Sequence, residues 1–124
     1  MDLRQFNPLK VLNHWQALND IIKGKNPYPI SCEIDPSNLC NHNCKWCING
    51  KFRKSNKVSI PADLMFRIIR EMAENKVKSI AFTGGGEPFM NPATTDAIRL
   101  TKKLKMDVGI VSNGELLDPE KCRI

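Results

Sequence analysis

Short apolar segments alternate with amphipathic segments along most of this chain, and this alternation constrains the fold more than any other feature. Residues 30–34, 80–82 and 108–111 have the length and the residue types of β-strands, and we expect the strand at 108–111 to be buried. The segments between them carry apolar residues at three- and four-residue steps, which predicts helices. Strands that alternate with helices form a parallel sheet with right-handed crossovers. The sequence therefore predicts an α/β fold, preceded by one helix.

The predicted first helix spans residues 7–24. Asn7 suits the cap, Pro8 the first helical position and Gly24 the end of the helix. Its apolar stripe predicts a packing surface, and we interpret His14 as structural or exposed.

Three later helices are predicted to begin near prolines, at residues 59–61, 91–92 and 118–119. Asn91 and Asp118 are the expected caps of the last two. The helix that begins near Pro61 has the clearest periodicity in the chain. Its expected buried face comprises Leu64, Ile68 and Met72, with Met65 and Ile69 beside them.

The length and composition indicate one packed domain in a reducing compartment. The chain has 124 residues, of which 41% are hydrophobic and 26% are charged. It has neither an apolar run of the ~20 residues that a membrane span needs nor a secretory signal. We therefore expect a cytosolic protein with reduced thiols, and the odd number of cysteines, five, argues against a closed set of disulfides.

Basic residues account for a net charge of +6, and several of them surround a group of cysteines. A solvated loop and a docking face for an acidic partner remain open as interpretations. Nucleic acid is not expected, because no aromatic side chains are interleaved with the basic ones. The residues concerned are Lys45, Lys51, Arg53, Lys54 and Lys57.

Three loops with unusual composition directly follow the three predicted strands. They are the cysteine loop, the glycine loop at residues 84–86, and the segment Ser112-Asn113-Gly114. Chemistry in parallel α/β folds collects at the carboxyl ends of the strands. We therefore expect the three loops to meet at one edge of the sheet.

Cys40, Cys44 and Cys47 lie in one short polar loop with the spacing CxxxCxxC. Three thiolates would bind three irons of a [4Fe–4S] cluster and leave the fourth iron open for a ligand. Three protein ligands with one open position are typical of a site that binds a substrate or cofactor, whereas a structural site has all its positions filled by the protein.

Other uses of the thiols remain open. Structural zinc would need a fourth ligand from His42, Cys32 or Cys122. A redox pair of Cys44 and Cys47 would leave the first cysteine of the loop unexplained. Outside the loop, Cys32 and Cys122 suit the role of small buried apolar residues.

The segments CNHNCKWC, FTGGGEP and VSNG together resemble the radical S-adenosylmethionine (radical SAM) superfamily over residues 30–114. The resemblance implies an enzyme with the amino-terminal portion of a partial (β/α)6 TIM-like barrel. It implies a [4Fe–4S] cluster on the three cysteines, whose open iron binds S-adenosylmethionine. Reductive cleavage of that cofactor would give a 5′-deoxyadenosyl radical that abstracts hydrogen from a substrate, with a peptide or a cofactor precursor as the expected class.

The resemblance also implies which residues contact the cofactor. Backbone at the glycines would approach the methionyl group, an acidic side chain would pair with its ammonium, and the polar pair after the third strand would contact its sugar or carboxylate. An aromatic residue would pack beside the cluster and the adenine. Each also has a plain structural reading: a tight turn, a surface carboxylate, a polar turn or core packing. The residues are Gly84, Gly85, Gly86, Glu87, Ser112, Asn113 and Trp46.

We expect residues 1–26 to form the amino-terminal helix and lead-in, and residues 27–124 about three βα units of a truncated core. The third strand would then have an exposed apolar edge. The chain is therefore expected to be the amino-terminal part of a larger enzyme, or to have its sheet completed by a partner. The expected partners are S-adenosylmethionine, an unknown substrate and an electron donor such as flavodoxin or ferredoxin.

Overall fold

A computed structural model describes residues 8–51 and 56–123 of the chain. It contains one parallel sheet with the strands in chain order, β1 (Ser31–Ile34), β2 (Ser79–Phe82) and β3 (Asp107–Ile110). Ser31, Ser79 and Asp107 are aligned, so the three strands begin and end level with one another. This confirms the predicted parallel α/β fold.

The helices are α1 (Trp15–Ile22), α2 (Ala62–Glu74) and α3 (Thr94–Lys103), with shorter 3₁₀ segments at Pro8–His14, Pro88–Met90 and Lys121–Arg123. The predicted first helix is thus 3₁₀ in its first half, a form common at the amino ends of α-helices. Its expected cap, Asn7, lies outside the described residues. The helix ends at Ile22, and the predicted stop Gly24 follows two residues later with a left-handed φ of 75°. His14 is exposed. No helix of the described ranges is long and apolar enough to cross a membrane.

The core lies between one face of the sheet and the two later helices. Ile80 and Phe82 of β2 have no exposed surface, and neither do Met65 and Ile69 of α2. Ile68 and Met72 are partly buried and pack against this core, so the predicted face is confirmed for four of its five residues. Leu64 is partly buried and is not among the residues that pack against the core. The most buried positions of the face are Met65 and Ile69, which belong to the same core cluster as Ile80 and Phe82.

Strand β3 forms the edge of the sheet and is less buried than its sequence predicted. Ile110 is 39% exposed and Val111 is 66% exposed. Within the described residues β3 pairs with β2 alone, so its outer backbone edge has no neighbouring strand. The expected apolar edge is therefore confirmed, and the expectation that residues 108–111 are buried is wrong.

Polar side chains precede the later helical segments. α3 begins at Thr94 with Ala93 at its cap position and no side-chain cap, which corrects Asn91 as the expected cap. Asn91 is 4% exposed and donates hydrogen bonds to the carbonyl oxygens of Pro36 and Ile60, both at 2.9 Å. Its Oδ1 accepts from the backbone N–H two residues later, at 3.0 Å. Asp118 accepts from the backbone N–H of Lys121 at 2.8 Å, and the Lys121 side chain holds the pKa of Asp118 below its usual value through a hydrogen bond.

The loop after β2 lies backbone to backbone against the loop after β1. A Cβ atom at Gly86 would lie 2.2 Å from the carbonyl oxygen of Leu39 and 2.4 Å from that of Ser37. The next residue, Glu87, donates its backbone N–H to the same Leu39 oxygen at 2.7 Å. Only glycine fits at position 86, because the neighbouring atoms belong to the main chain and cannot move aside.

Replacing the fully buried Ile69 by Ala should lower the free energy of unfolding by about 2–5 kcal/mol, because it removes core packing. The matched change Ile68→Ala, on the same helix, should cost at least about 1 kcal/mol less, since less apolar surface returns to water. Urea unfolding measures both. Equal losses would contradict the position of the buried face.

Replacing Gly86 by Ala should lower the free energy of unfolding by about 1–3 kcal/mol, because the added methyl group overlaps main-chain atoms. Gly109→Ala is the control. Its Cβ would meet the Cβ of Ala81 at 3.7 Å, an ordinary contact, so this variant should be about as stable as the original chain. Equal midpoints of urea unfolding for the two variants would refute the close backbone contact.

Candidate functional site

The three loops that follow the strands meet in one concavity at the carboxyl end of the sheet, as predicted. The concavity has a volume of about 240 Å³. Cys40, Cys44 and Cys47 line it together with His42. The glycine loop and the segment after β3 form the remaining walls, through Thr83, Gly84, Gly85, Gly86, Glu87, Val111, Ser112 and Asn113.

The cysteine loop carries three free thiols that line the same concavity. Cys40 and Cys47 are partly buried and Cys44 is exposed. Backbone N–H of Cys47 donates to the carbonyl of Cys44 at 3.1 Å, which closes a turn between them. Among the described residues, no three His, Cys, Asp or Glu side chains are grouped to hold a metal ion. An iron–sulfur cluster differs from a single ion, because each thiolate binds a separate iron atom and the thiols need not converge on one point.

The glycine loop packs against Asp35, which directly follows β1. The carboxylate of Asp35 accepts the backbone N–H of Gly85 at 2.6 Å. A Cβ atom at Gly84 would lie 2.0 Å from the carboxyl carbon of Asp35, and Gly84 has a φ of 123° that disfavours other residues. The contact with Asp35 and this φ therefore explain why position 84 is glycine, whether or not a ligand also approaches the loop.

Sequence reasoning missed Asp35, which supports the glycine loop but is not among the residues that line the concavity. Its position at the carboxyl end of a strand was the available signal.

Glu87 is buried in the wall between the second and third loops. It is 2% exposed, so its reading as a surface carboxylate is wrong. Its Oε1 accepts from Ser112 Oγ at 2.9 Å and from the backbone N–H of Phe89 at 3.2 Å. Its Oε2 accepts from the backbone N–H of Asn113 at 2.8 Å. The carboxylate thus bonds to the chain itself, and its predicted pairing with an ammonium group stays a prediction.

Asn113 connects the segment after β3 to the cysteine loop. Its Nδ2 donates to Asn41 Oδ1 at 2.8 Å and lies 3.9 Å from Cys40 Sγ. A second link joins His42 to Glu115 through Nε2 and Oε2. Neither link could be predicted from the sequence, because the partners are more than 70 residues apart.

Trp46 is 85% exposed and is not among the residues that line the concavity. Its reading as a core residue is wrong, and its predicted contact with a cofactor stays a prediction. Outside the loop, Cys122 is exposed, which corrects its reading as a buried thiol. Cys32 is partly buried and packs against the core, in line with its predicted role.

Basic side chains lie at the surface around the cysteine loop. Lys45, Lys51 and Lys57 are exposed. Arg53 and Lys54 lie outside the described residues. The described lysines could therefore meet a partner that approaches this loop.

Known proteins resemble this chain in sequence and in fold. The chain is 32% identical over 104 residues to the radical SAM cyclopropyl synthase TigE of Paramaledivibacter caminithermalis, which covers 68% of this chain and 22% of that protein. It is 29% identical over 108 residues to the S-adenosylmethionine-dependent nucleotide dehydratase of Flammeovirga pacifica, over 83% of this chain and 36% of that protein. The chain thus spans between a fifth and about a third of these relatives.

The crystal structure of Streptococcus suis SuiB bound to S-adenosylmethionine superposes with a TM-score of 0.68 at 23% identity. The superposition covers 90% of this chain and 26% of SuiB. It confirms the fold as a part of a TIM-like α/β barrel. The sequence profile of the Radical SAM superfamily matches residues 34–124. The chain therefore belongs to the radical SAM superfamily, whose members named here are enzymes.

Proposed function

We propose that this chain holds a [4Fe–4S] cluster on Cys40, Cys44 and Cys47 and binds S-adenosylmethionine beside it for reductive cleavage. One observation carries the proposal: three thiols from one loop share a single concavity with the glycine loop and with Ser112. The cysteine loop, the glycine loop and Ser112 follow three different strands, so their meeting depends on the fold. Three thiolates without a fourth cysteine in the concavity match a cluster with one open iron.

The residues of the concavity suit both groups. The cysteine thiols are reduced and reach its surface, and none of the five cysteines of the chain is in a disulfide. Glycines 84–86 present main chain without side chains, so a ligand can approach their peptide groups. Ser112 and Asn113 add polar atoms on the opposite wall. When bound, the cluster would supply one electron for cleavage of S-adenosylmethionine to a 5′-deoxyadenosyl radical, which takes hydrogen from the substrate.

The proposed substrate is a peptide or a cofactor precursor. One likeness supports a peptide: SuiB has been solved bound to the precursor peptide SuiA. The 26% identical GTP 3′,8-cyclase of Alkaliphilus metalliredigens and the nucleotide dehydratase act on nucleotides by name. The open edge of β3 is the proposed place where further strands, from the same chain or from a partner, complete the pocket for the substrate.

A non-catalytic module with structural zinc is the second candidate. His42 favours it, because this residue lies between the first two cysteines and lines the same concavity. The two candidates differ in what the chain takes up and in whether S-adenosylmethionine is cleaved.

Anaerobic reconstitution with iron and sulfide should load about four of each per chain. Under strong reduction the loaded chain should convert S-adenosylmethionine to 5′-deoxyadenosine. Replacing any one of Cys40, Cys44 or Cys47 by Ala should abolish the cleavage and most of the iron uptake. Iron and sulfide analysis, with chromatography of the nucleoside, measures both.

Cys122→Ala is the matched control for these variants, because it removes an exposed thiol outside the concavity. It should leave both readouts unchanged. Uptake of one zinc per chain without iron would refute the cluster in favour of the zinc module. Cluster uptake without 5′-deoxyadenosine would leave a cluster-binding fragment and refute the cleavage activity.

We also propose that an acidic electron donor, of the flavodoxin or ferredoxin class, docks on the face with Lys45 and Lys51. Both lysines are exposed and flank the cysteines in sequence. A donor must come close to the cluster, and opposite charge raises the rate of encounter.

The rate of reduction of the loaded chain by flavodoxin should fall with rising ionic strength, because salt screens the attraction. Reversing Lys45 and Lys51 to Glu should slow the reduction by about tenfold or more at low salt. The control reverses Lys102 and Lys103, which end α3 at the opposite end of the sheet and give the same net charge. Stopped-flow measurement that finds equal rates for both variants, or no effect of salt, rules out the docking face.

A further inference from the structure

Glu87 is the only Asp or Glu in the buried class among the described residues. A buried carboxylate is unfavourable unless hydrogen bonds compensate for its lost water. Its compensation comes from neighbouring parts of the chain, through the three donors Ser112 Oγ, Phe89 N–H and Asn113 N–H. A carboxylate has about four acceptor positions, so these donors use most of its capacity.

The bonds of Glu87 join all three loops of the concavity. Its backbone N–H binds the carbonyl of Leu39, the residue directly before the first cysteine of the loop. Its carboxylate binds Ser112 and Asn113 after β3. The Asn113 side chain then reaches Asn41 and approaches Cys40 Sγ. One residue therefore links the wall after β2 to both of the other walls.

We propose that Glu87 is a positioning residue, whose carboxylate fixes the segment after β3 against the cysteine loop and does not pair with the ammonium of S-adenosylmethionine. The second half of this proposal rests on the proposed function. The first half concerns the chain alone. At 2% exposure the carboxylate offers almost no surface to a ligand in the concavity.

Hydrogen exchange on the full chain without cluster tests the first half. Glu87→Gln keeps the size of the side chain but cannot accept at every position that the carboxylate uses. The amide of Asn113 should then exchange at least about tenfold faster, which corresponds to ~1.4 kcal/mol of lost protection. The amide of Val111, which donates to the carbonyl of Phe82 in the sheet, should keep its rate.

The control is Glu74→Gln, the same change at an exposed carboxylate on α2, which should alter neither amide. Unchanged exchange at Asn113 in Glu87→Gln overturns the positioning role. If Glu87→Gln also loses protection at Val111, the variant Ser112→Ala decides the question. It removes one donor to Glu87, so Asn113 should again exchange faster than in the original chain, and an unchanged rate would overturn the role.

A binding cycle on the reconstituted chain tests the second half. The probes are S-adenosylmethionine and an analogue that lacks the α-amino group, measured anaerobically by equilibrium dialysis. If Glu87 only positions the loops, Glu87→Gln should weaken the binding of both ligands by the same factor, within about twofold. If Glu87 pairs with the ammonium, Glu87→Gln should weaken the binding of S-adenosylmethionine but not that of the analogue. That result would overturn the proposal.

The two proposals fail in different ways. If the reconstituted chain binds neither ligand, the proposed function fails, whereas the exchange experiment still decides the positioning role. If both ligands bind and Glu87→Gln weakens the binding of S-adenosylmethionine more than that of the analogue, the proposed function stands and Glu87 is a direct contact.

Discussion

The level register of three parallel strands is the constraint on which the site depends. Ile34, Phe82 and Ile110 are aligned at the carboxyl ends, so the next residue of each strand enters its loop at the same height. The cysteines, the glycines and Ser112 are separated by 26 residues or more in sequence, yet they share one concavity for this reason. A slip of one residue in any strand would also turn its buried side chains to the other face of the sheet.

Close packing between the loops explains residue choices that a ligand alone would not. Gly86 touches the main chain before the cysteines, and Gly84 touches Asp35. The same contacts that exclude side chains there leave the backbone of the glycine loop bare on the side of the concavity. Support for the wall and access for a ligand thus require the same residue type, so the two roles are not alternatives.

The sequence predicted much of this arrangement, because periodicity and strand-end position are local signals. The three strands, the cap at Asp118 and the meeting of the loops were all predicted from them. The most buried positions of α2 were not, because they depend on how the helix is rotated against β2. The partners of Glu87 could not be predicted either, since hydrogen bonds between residues 25 or more positions apart leave no pattern in one sequence.

The uncovered face of the sheet is continuous with the concavity. Side chains alternate along a strand, so Thr83 and Val111 share a face with Ala81 and Gly109, and Thr83 and Val111 line the concavity. The side chains of Ile80 and Phe82 point to the opposite, helix-covered face. Ala81 and Gly109 are small, so this face offers room below the cysteines and little apolar surface of its own. A substrate that lies there needs further walls, which the free edge of β3 is placed to receive.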